Sequence, residues 1–153
     1  GTEDPQIEVI HNDTDIAFSP NLIAGSELVF TPFNSKKYGA MDIAFITKYV
    51  SEQFIDNTSS ELAKLNAYLV NDARLQYSLK GKLFQEIIFS GWVRNLFNED
   101  YISNAWVYRF KSDWGTYGDA YGNTENEETG MYNLIGAFPQ AGINYFVGLT
   151  LKF

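Results

Sequence analysis

The residues able to do chemistry are few, and their spacing is poor for it. His11 is the single histidine, and beside Asn12 and Asp13 it is expected in solvated loop. With no Cys and no second His, no His-rich metal site can be built. The run Asp13–Asp15, "DTD", offers oxygen ligands of the kind calcium takes, yet it lacks the glycine and the distant Glu of an EF-hand loop. Glu99 with Asp100 and Glu127 with Glu128 are carboxylate pairs. Adjacent residues on an extended chain point to opposite faces, so a solvated acidic loop is the plainer expectation. No Gly-x-Ser-x-Gly, Walker loop or His-Glu-x-x-His occurs, and neither an enzyme nor a cofactor is expected. Binding is the remaining chemistry. Trp114, Tyr117 and Tyr121, spaced through Gly115, Gly118 and Gly122, can stack on a sugar ring, a siderophore or another flat ligand. The acidic group Glu125, Glu127 and Glu128 can attract a cationic or metal-bearing one. The alternative is that these aromatics only anchor their loop and the acids only keep it solvated.

Composition bounds what can position such residues. A chain of 153 residues suits one domain. Hydrophobic content of 45% is ordinary, but twelve Phe, ten Tyr and three Trp are not. Such aromatic richness favours strands and binding surfaces. A net charge of −8 argues against nucleic acid as a partner, because phosphate binders cluster Lys and Arg. The absence of Cys removes disulfides and thiolate chemistry. No stretch approaches the run of about 20 apolar residues that a membrane helix needs. The start, "GTEDPQIEVI", has no basic and apolar leader pattern. A start on Gly is expected of a piece cut from a longer chain, whose targeting segment would lie outside it.

Most of the chain alternates with a period of two. Ile143, Tyr145, Val147, Leu149, Leu151 and Phe153 are apolar, with Asn144, Phe146, Gly148, Thr150 and Lys152 between them. From Leu65 to Leu79 one face carries Leu65, Ala67, Leu69, Ala73, Leu75, Tyr77 and Leu79. A helix competes there, since "SSELAKLNAYLVNDARL" is rich in helix formers and Ser60 can cap it. A turn at Gly81 leads to a strand from Leu83 to about Phe97, with Ile87, Phe89, Val93 and Phe97 in phase. Leu22–Phe33, the turn "NSKKYG" and Met41–Phe54 predict another hairpin. The two turns are short and carry Lys36, Lys37, Lys80 and Lys82. The other connections are long, above all Asn98 to Gly142, which shows no sustained apolar period. Alternating short and long connections put the short ones at one end of an antiparallel sheet.

Strands of about 11 residues rise roughly 36 Å, and tilted near 45° they cross about 25 Å of hydrocarbon. Transmembrane barrels have this strand length, this alternation, short turns on one side and long loops on the other, and aromatic girdles. Tyr49, Phe54, Tyr68, Tyr77, Trp92, Phe97 and Tyr101 fall near strand ends, where girdles stand. A soluble sandwich or lipocalin-like barrel alternates too, and a soluble aromatic-rich β-domain that binds carbohydrate remains the alternative on periodicity alone.

"VRNLFNEDYISN", Val93 to Asn104, resembles the penultimate-strand motif of TonB-dependent outer-membrane receptors of the Bacteroidetes-like type. Val93, Asn95, Leu96, Phe97, Asn98 and Tyr101 carry the likeness. "FSPNLIAGSELVFTPF", "TKYVSEQFIDNTS", "AYLVNDARLQYSL" and "FPQAGINYFVGLTLKF" resemble the neighbouring strands in the same order, from about Phe18 to Phe153. The resemblance implies an all-β fold, an antiparallel long-strand meander forming the last five or six strands of a large transmembrane β-barrel. It implies that Tyr145, Leu149, Leu151 and Phe153 form the signal read by the barrel-insertion machinery, and that residues 98–142 are an extracellular loop. The implied location is the outer membrane of a Gram-negative bacterium, and the implied activity is active import of a scarce nutrient such as a ferric siderophore, haem, cobalamin or a glycan. Full receptors close about 22 strands around a plug. Plug, TonB-contacting peptide and most of the barrel are absent here. TonB would be a partner only through that absent part, and the open strand edges invite self-association.

Overall fold

The structure is a computed structural model and describes residues 10–81, 83–111 and 131–153. In chain order its strands are β1 (Ile23–Ser35), β2 (Gly39–Val50), β3 (Gln53–Phe54), β4 (Lys64–Leu65), β5 (Tyr68–Leu79), β6 (Glu86–Arg94), β7 (Ile102–Lys111), β8 (Met131–Pro139) and β9 (Asn144–Lys152). The fold is all-β. Five strands form one antiparallel sheet in the order β1-β2-β5-β6-β9, while β3 pairs with β4 and β7 with β8. The described residues fall into two compact units. One, the sheet unit, is built from Pro20–Glu52, Asn66–Ser103 and Phe138–Phe153, and the other draws on Gln53–Leu65 and Asn104–Ala137.

In the second unit, Ile55, Ala63, Leu65 and Ala105 make a small buried cluster, with Val107 and Ile135 packed against it. Beside it the Arg109 guanidinium donates to Asn133 Oδ1 (2.8 Å) and Thr58 Oγ1 (3.0 Å) and pairs with Asp56 (3.3 Å).

Of the two readings of residues 59–75, strand holds from Tyr68 onward, and two other sequence expectations need correction. The competing helix does not form: one turn of 3-10 helix at Glu61–Ala63 is all that the helix formers produce, and Ser60 makes no side-chain cap. Eleven cross-strand partners along β2 outweigh that local preference for Tyr68–Ser78. The strand predicted over Met41–Phe54 ends at Val50, and Gln53–Phe54 pairs instead with Lys64–Leu65. Nor is the connection 98–142 free of regular structure, because β7 and β8 lie within it. β7 alternates Ile102, Trp106, Tyr108 and Phe110 with Ser103, Ala105, Val107 and Arg109, so large side chains stand on one face and small or mixed ones on the other. That asymmetry hides the period from a search for apolar against polar. Trp106 lies flat on Gly136 of β8: a Cβ there would stand 2.3 Å from the indole.

Register decides which side chains share a face of the five-stranded sheet. One row runs Phe30–Ile43–Leu75–Gly91–Val147, another Leu28–Phe45–Ala73–Val93–Tyr145, and a third links Met41, Tyr77, Phe89 and Leu149. All are uncharged. The charged residues of these five strands are Glu27, Asp42, Lys48, Asp72, Arg74, Glu86, Arg94 and Lys152, and the pairing puts all eight on the opposite face. A bulge keeps β1 in phase. Between Phe30↔Ile43 and Phe33↔Met41, β1 advances one residue more than β2, which returns Phe33 to the apolar face, where its ring meets Tyr77 edge-on at 6.1 Å. Pro32 sits within the bulge of this edge strand, the place in a sheet where its missing N–H is tolerated.

The apolar face is open. Leu28 is 70% exposed and Val147 92%. On the charged face, Arg74 reaches Glu27 at 2.6 Å, across Ala44, which stands between Val29 and Arg74 in register and is only 2% exposed. Lys152 pairs with Glu86 at 2.5 Å, and Arg94 with Asp72 at 3.7 Å. Both short turns, Lys36–Tyr38 and Lys80–Gln85, lie at the same end, since Ala40 faces Ser78 and Leu79 faces Ile87.

The first turn needs a glycine. Gly39 has φ +80°, and a Cβ there would lie 2.1 Å from the Ser78 carbonyl oxygen. Gly39→Ala is expected to cost more than about 1 kcal/mol, read as a lowered midpoint in denaturant titration, whereas Gly25→Ala, whose Cβ would meet nothing closer than 3.7 Å, is expected to shift it little.

Candidate functional site

The motif residues come together in one turn at the end of β6. Asn95 and Asn98 both have positive φ, 52° and 55°, a region in which Asn is among the few tolerated residues. Asn95 is 3% exposed, and all its polar atoms are used. Its Nδ2 donates to the carbonyls of Glu99 (2.9 Å) and Ala141 (3.2 Å), its Oδ1 accepts the Glu99 N–H (2.8 Å), and its own N–H donates to Asp72 Oδ1 (2.9 Å). The Leu96 N–H donates to the Asn71 carbonyl at 2.7 Å. Asn98 Oδ1 accepts the Ile143 N–H at 2.9 Å. That approach requires Gly142, where a Cβ would stand 2.6 Å from Asn98 Oδ1. One turn therefore ties β5, β6 and the entry to β9 together.

The remaining motif members flank this turn. Phe97 meets Phe45 edge-on at 6.4 Å, and Tyr101 lies against Tyr68 with ring centroids 4.5 Å apart. Val93 stands on the apolar face, paired with Tyr145. Asn71 occupies a position of that face where the alternation demands an apolar residue. It is buried, and its Oδ1 accepts from the Thr47 hydroxyl, its partner on β2, at 2.7 Å.

Tyr145, Leu149 and Leu151 share the apolar face opposite Val93, Phe89 and Ile87, and all three are exposed. Phe153 follows β9 and its ring meets Phe84 at 5.1 Å. Trp114, Tyr117 and Tyr121, with the acidic group Glu125, Glu127 and Glu128, lie outside the described residues. The expected girdle is broken by register: Tyr68 and Trp92 stand on the charged face, since Tyr68 pairs with Val50 and Trp92 with Arg74 and Phe146. Phe54 belongs to β3 and not to this sheet. Nearness to a strand end fixes depth along the strand but not the face, and for these aromatics the face is set by parity.

The sequence did not reveal an open cavity of about 220 Å³ on the charged face. It is built where β2, β5 and β6 end beside the Asn95 turn. Lys48, Tyr68, Asp72, Arg94, Tyr101 and Gln140 line it, with Ser103 at its margin. The Gln140 N–H donates to the Tyr101 carbonyl at 2.9 Å, which holds the two connecting segments side by side. These residues are spread from position 48 to 140, so only strand pairing assembles them. Among the described residues, no group of three or more His, Cys, Asp or Glu is placed to hold a metal. Asp15 is engaged in tying its segment to Ser59, whose hydroxyl donates to the Asp15 carboxylate at 3.1 Å and accepts the Asp15 N–H at 2.8 Å.

No protein-family model matches the chain, and neither the curated proteins nor the solved structures give a match to it.

The Asn95 turn makes a graded prediction. Asn95→Gly loses the side-chain bonds and strands two carbonyls and an N–H, at about 1–3 kcal/mol. Asn95→Ala is expected to lose the same and a further 1–2 kcal/mol or so for a Cβ at positive φ. Unfolding titrations of both variants check the order, and equal midpoints would mean that the backbone conformation contributes nothing.

Proposed function

We propose that the chain is a section of the wall of a TonB-dependent outer-membrane receptor: the last strands of its barrel, a long external connection and the segment that the insertion machinery reads. The observation that carries the proposal is the segregation of charge. All eight charged residues of five long antiparallel strands lie on one face, and the other face is apolar and open. A lipid-facing wall with a watery interior needs this arrangement. A soluble sandwich would need a second layer over Leu28, Phe30, Tyr145 and Val147, all of which are exposed. The strands have 13, 12, 12, 9 and 9 residues, against the roughly 9–11 that a tilted strand needs to cross a bilayer. The turn built by Val93, Asn95, Leu96, Phe97, Asn98 and Tyr101 gives the resemblance of that motif a physical role.

In this reading the apolar face meets outer-membrane lipid and the charged face lines the interior. Uptake of a small nutrient belongs to the whole receptor, with TonB engaged through a part of it other than these 153 residues. β1 and β9 are the edges of the described sheet. They would pair with further strands of the receptor, or with copies of the chain when it stands alone.

The chain has no Cys, so single cysteines can be placed and spin-labelled without background. After refolding into lipid vesicles, labels at 145, 147 and 149 are expected to be reached by dissolved oxygen, and labels at 144, 150 and 152 by a water-soluble nickel chelate. Loss of that alternation would exclude the lipid-facing wall. Val147→Arg is expected to weaken insertion by about 2–4 kcal/mol if the residue sits near the midplane, measured as the folded fraction against urea in the same vesicles.

A further inference from the structure

On the charged face the basic residues Arg74, Lys152 and Arg94 each have a carboxylate partner, Glu27, Glu86 and Asp72. Lys48 is different. Among the described residues it has no ion-pair partner, and it is exposed at the rim of the cavity beside the Asn95 turn. Arg94 lines the same cavity and is only loosely held by Asp72, at 3.7 Å. Asp72 is itself committed, because its Oδ1 takes the Asn95 N–H. The cavity thus holds two cations against one carboxylate, a local excess of positive charge in a chain whose net charge is −8. Around these charges stand groups of another kind: the rings of Tyr68 and Tyr101, tilted by 32° to one another, the Gln140 amide and the Ser103 hydroxyl.

We infer that this cavity binds a small polyhydroxy carboxylate of the uronic-acid class. The carboxylate meets Lys48 and Arg94, the hydroxyl groups meet Gln140 and Ser103, and the ring edge packs on the tyrosines. Charged hydrogen bonds supply selectivity for the acid, aromatic surface suits the C–H face of a sugar, and a volume of about 220 Å³ suits one such unit. The assignment narrows the receptor reading to a substrate class and rests on that reading for the ligand's route, but not for binding itself.

Titration calorimetry of the 153-residue chain in an uncharged polyoxyethylene detergent, which carries no sugar of its own, tests it with glucuronate, glucose and acetate. Glucuronate is expected to bind about ten-fold more tightly than either of the others, the size of one charge-assisted contact, and to weaken as salt is raised. Lys48→Met should weaken glucuronate about ten-fold, Lys48→Arg should restore it, and Lys152→Met, which removes a cation elsewhere on the same face, should leave it unchanged. Equal binding of glucose or acetate overturns the inference, as does no binding, or an equal loss in the Lys152 variant. The spin-label alternation decides the receptor reading separately. Glucuronate binding without it leaves the site standing and removes the receptor, and the converse result does the reverse.

Discussion

Because side chains change face at every residue of a strand, a slip of one position between β5 and β6 would carry Asp72 and Arg74 to the side of Val93, Phe89 and Ile87. Charges would enter an apolar surface, the ion pair Arg94–Asp72 would part, and the Leu96 N–H would lose the Asn71 carbonyl. Register is therefore what the architecture defends, and it does so at several points. The bulge at Thr31–Pro32 corrects the phase of β1 where its sequence falls out of step. Thr47 and Asn71 satisfy each other across a strand pair that would otherwise leave two polar groups on the apolar side. The Asn95 turn fixes three strands at one end, and Gly39 allows the tight return at the other.

These devices differ in kind from the hydrophobic effect that sorts the two faces. Burial of apolar surface is non-directional. It tells an apolar face from a charged one but not one in-phase register from another two residues away. Hydrogen bonds at defined positions make that second choice. The Asn95 side chain, with three hydrogen bonds to Glu99 and Ala141, and its backbone N–H on Asp72 are satisfied together in one arrangement only. Exposed ion pairs on the charged face contribute little energy each, but mismatched partners would place like charges opposite one another.

The alternation of apolar and polar residues made the five long strands legible before any coordinates, along with their antiparallel order and the common end of the two short turns. The motif from Val93 to Tyr101 stood out by resemblance, but its mechanism did not. That two asparagines would adopt left-handed backbone, and that one would need Gly142 beside it, depends on contacts 23 to 46 residues away in the chain, such as that between Asn98 and Ile143. β7 escaped because its large and small side chains alternate without a matching alternation of apolar and charged ones. The cavity around Lys48 escaped for a more basic reason: it is assembled by pairing of β2 with β5 and β5 with β6, so no local stretch of sequence carries its pattern. Girdle positions for Tyr68 and Trp92 failed where depth along the strand was read without parity.

The clamp at the base of the long connection has an evolutionary corollary. Asn95 binds Ala141, Asn98 binds Ile143 and Tyr101 binds Gln140, so the two ends of the segment are brought together by residues that belong to the sheet. The turns at its ends share its closure with the β7–β8 pair, and each doubling of the length between those strands would add only about 0.6 kcal/mol of closure entropy. Such a segment can be lengthened while the strands of the sheet keep their phase. Surface variation is thereby uncoupled from the scaffold, and an engineer could insert a foreign loop between β7 and β8 with the same licence.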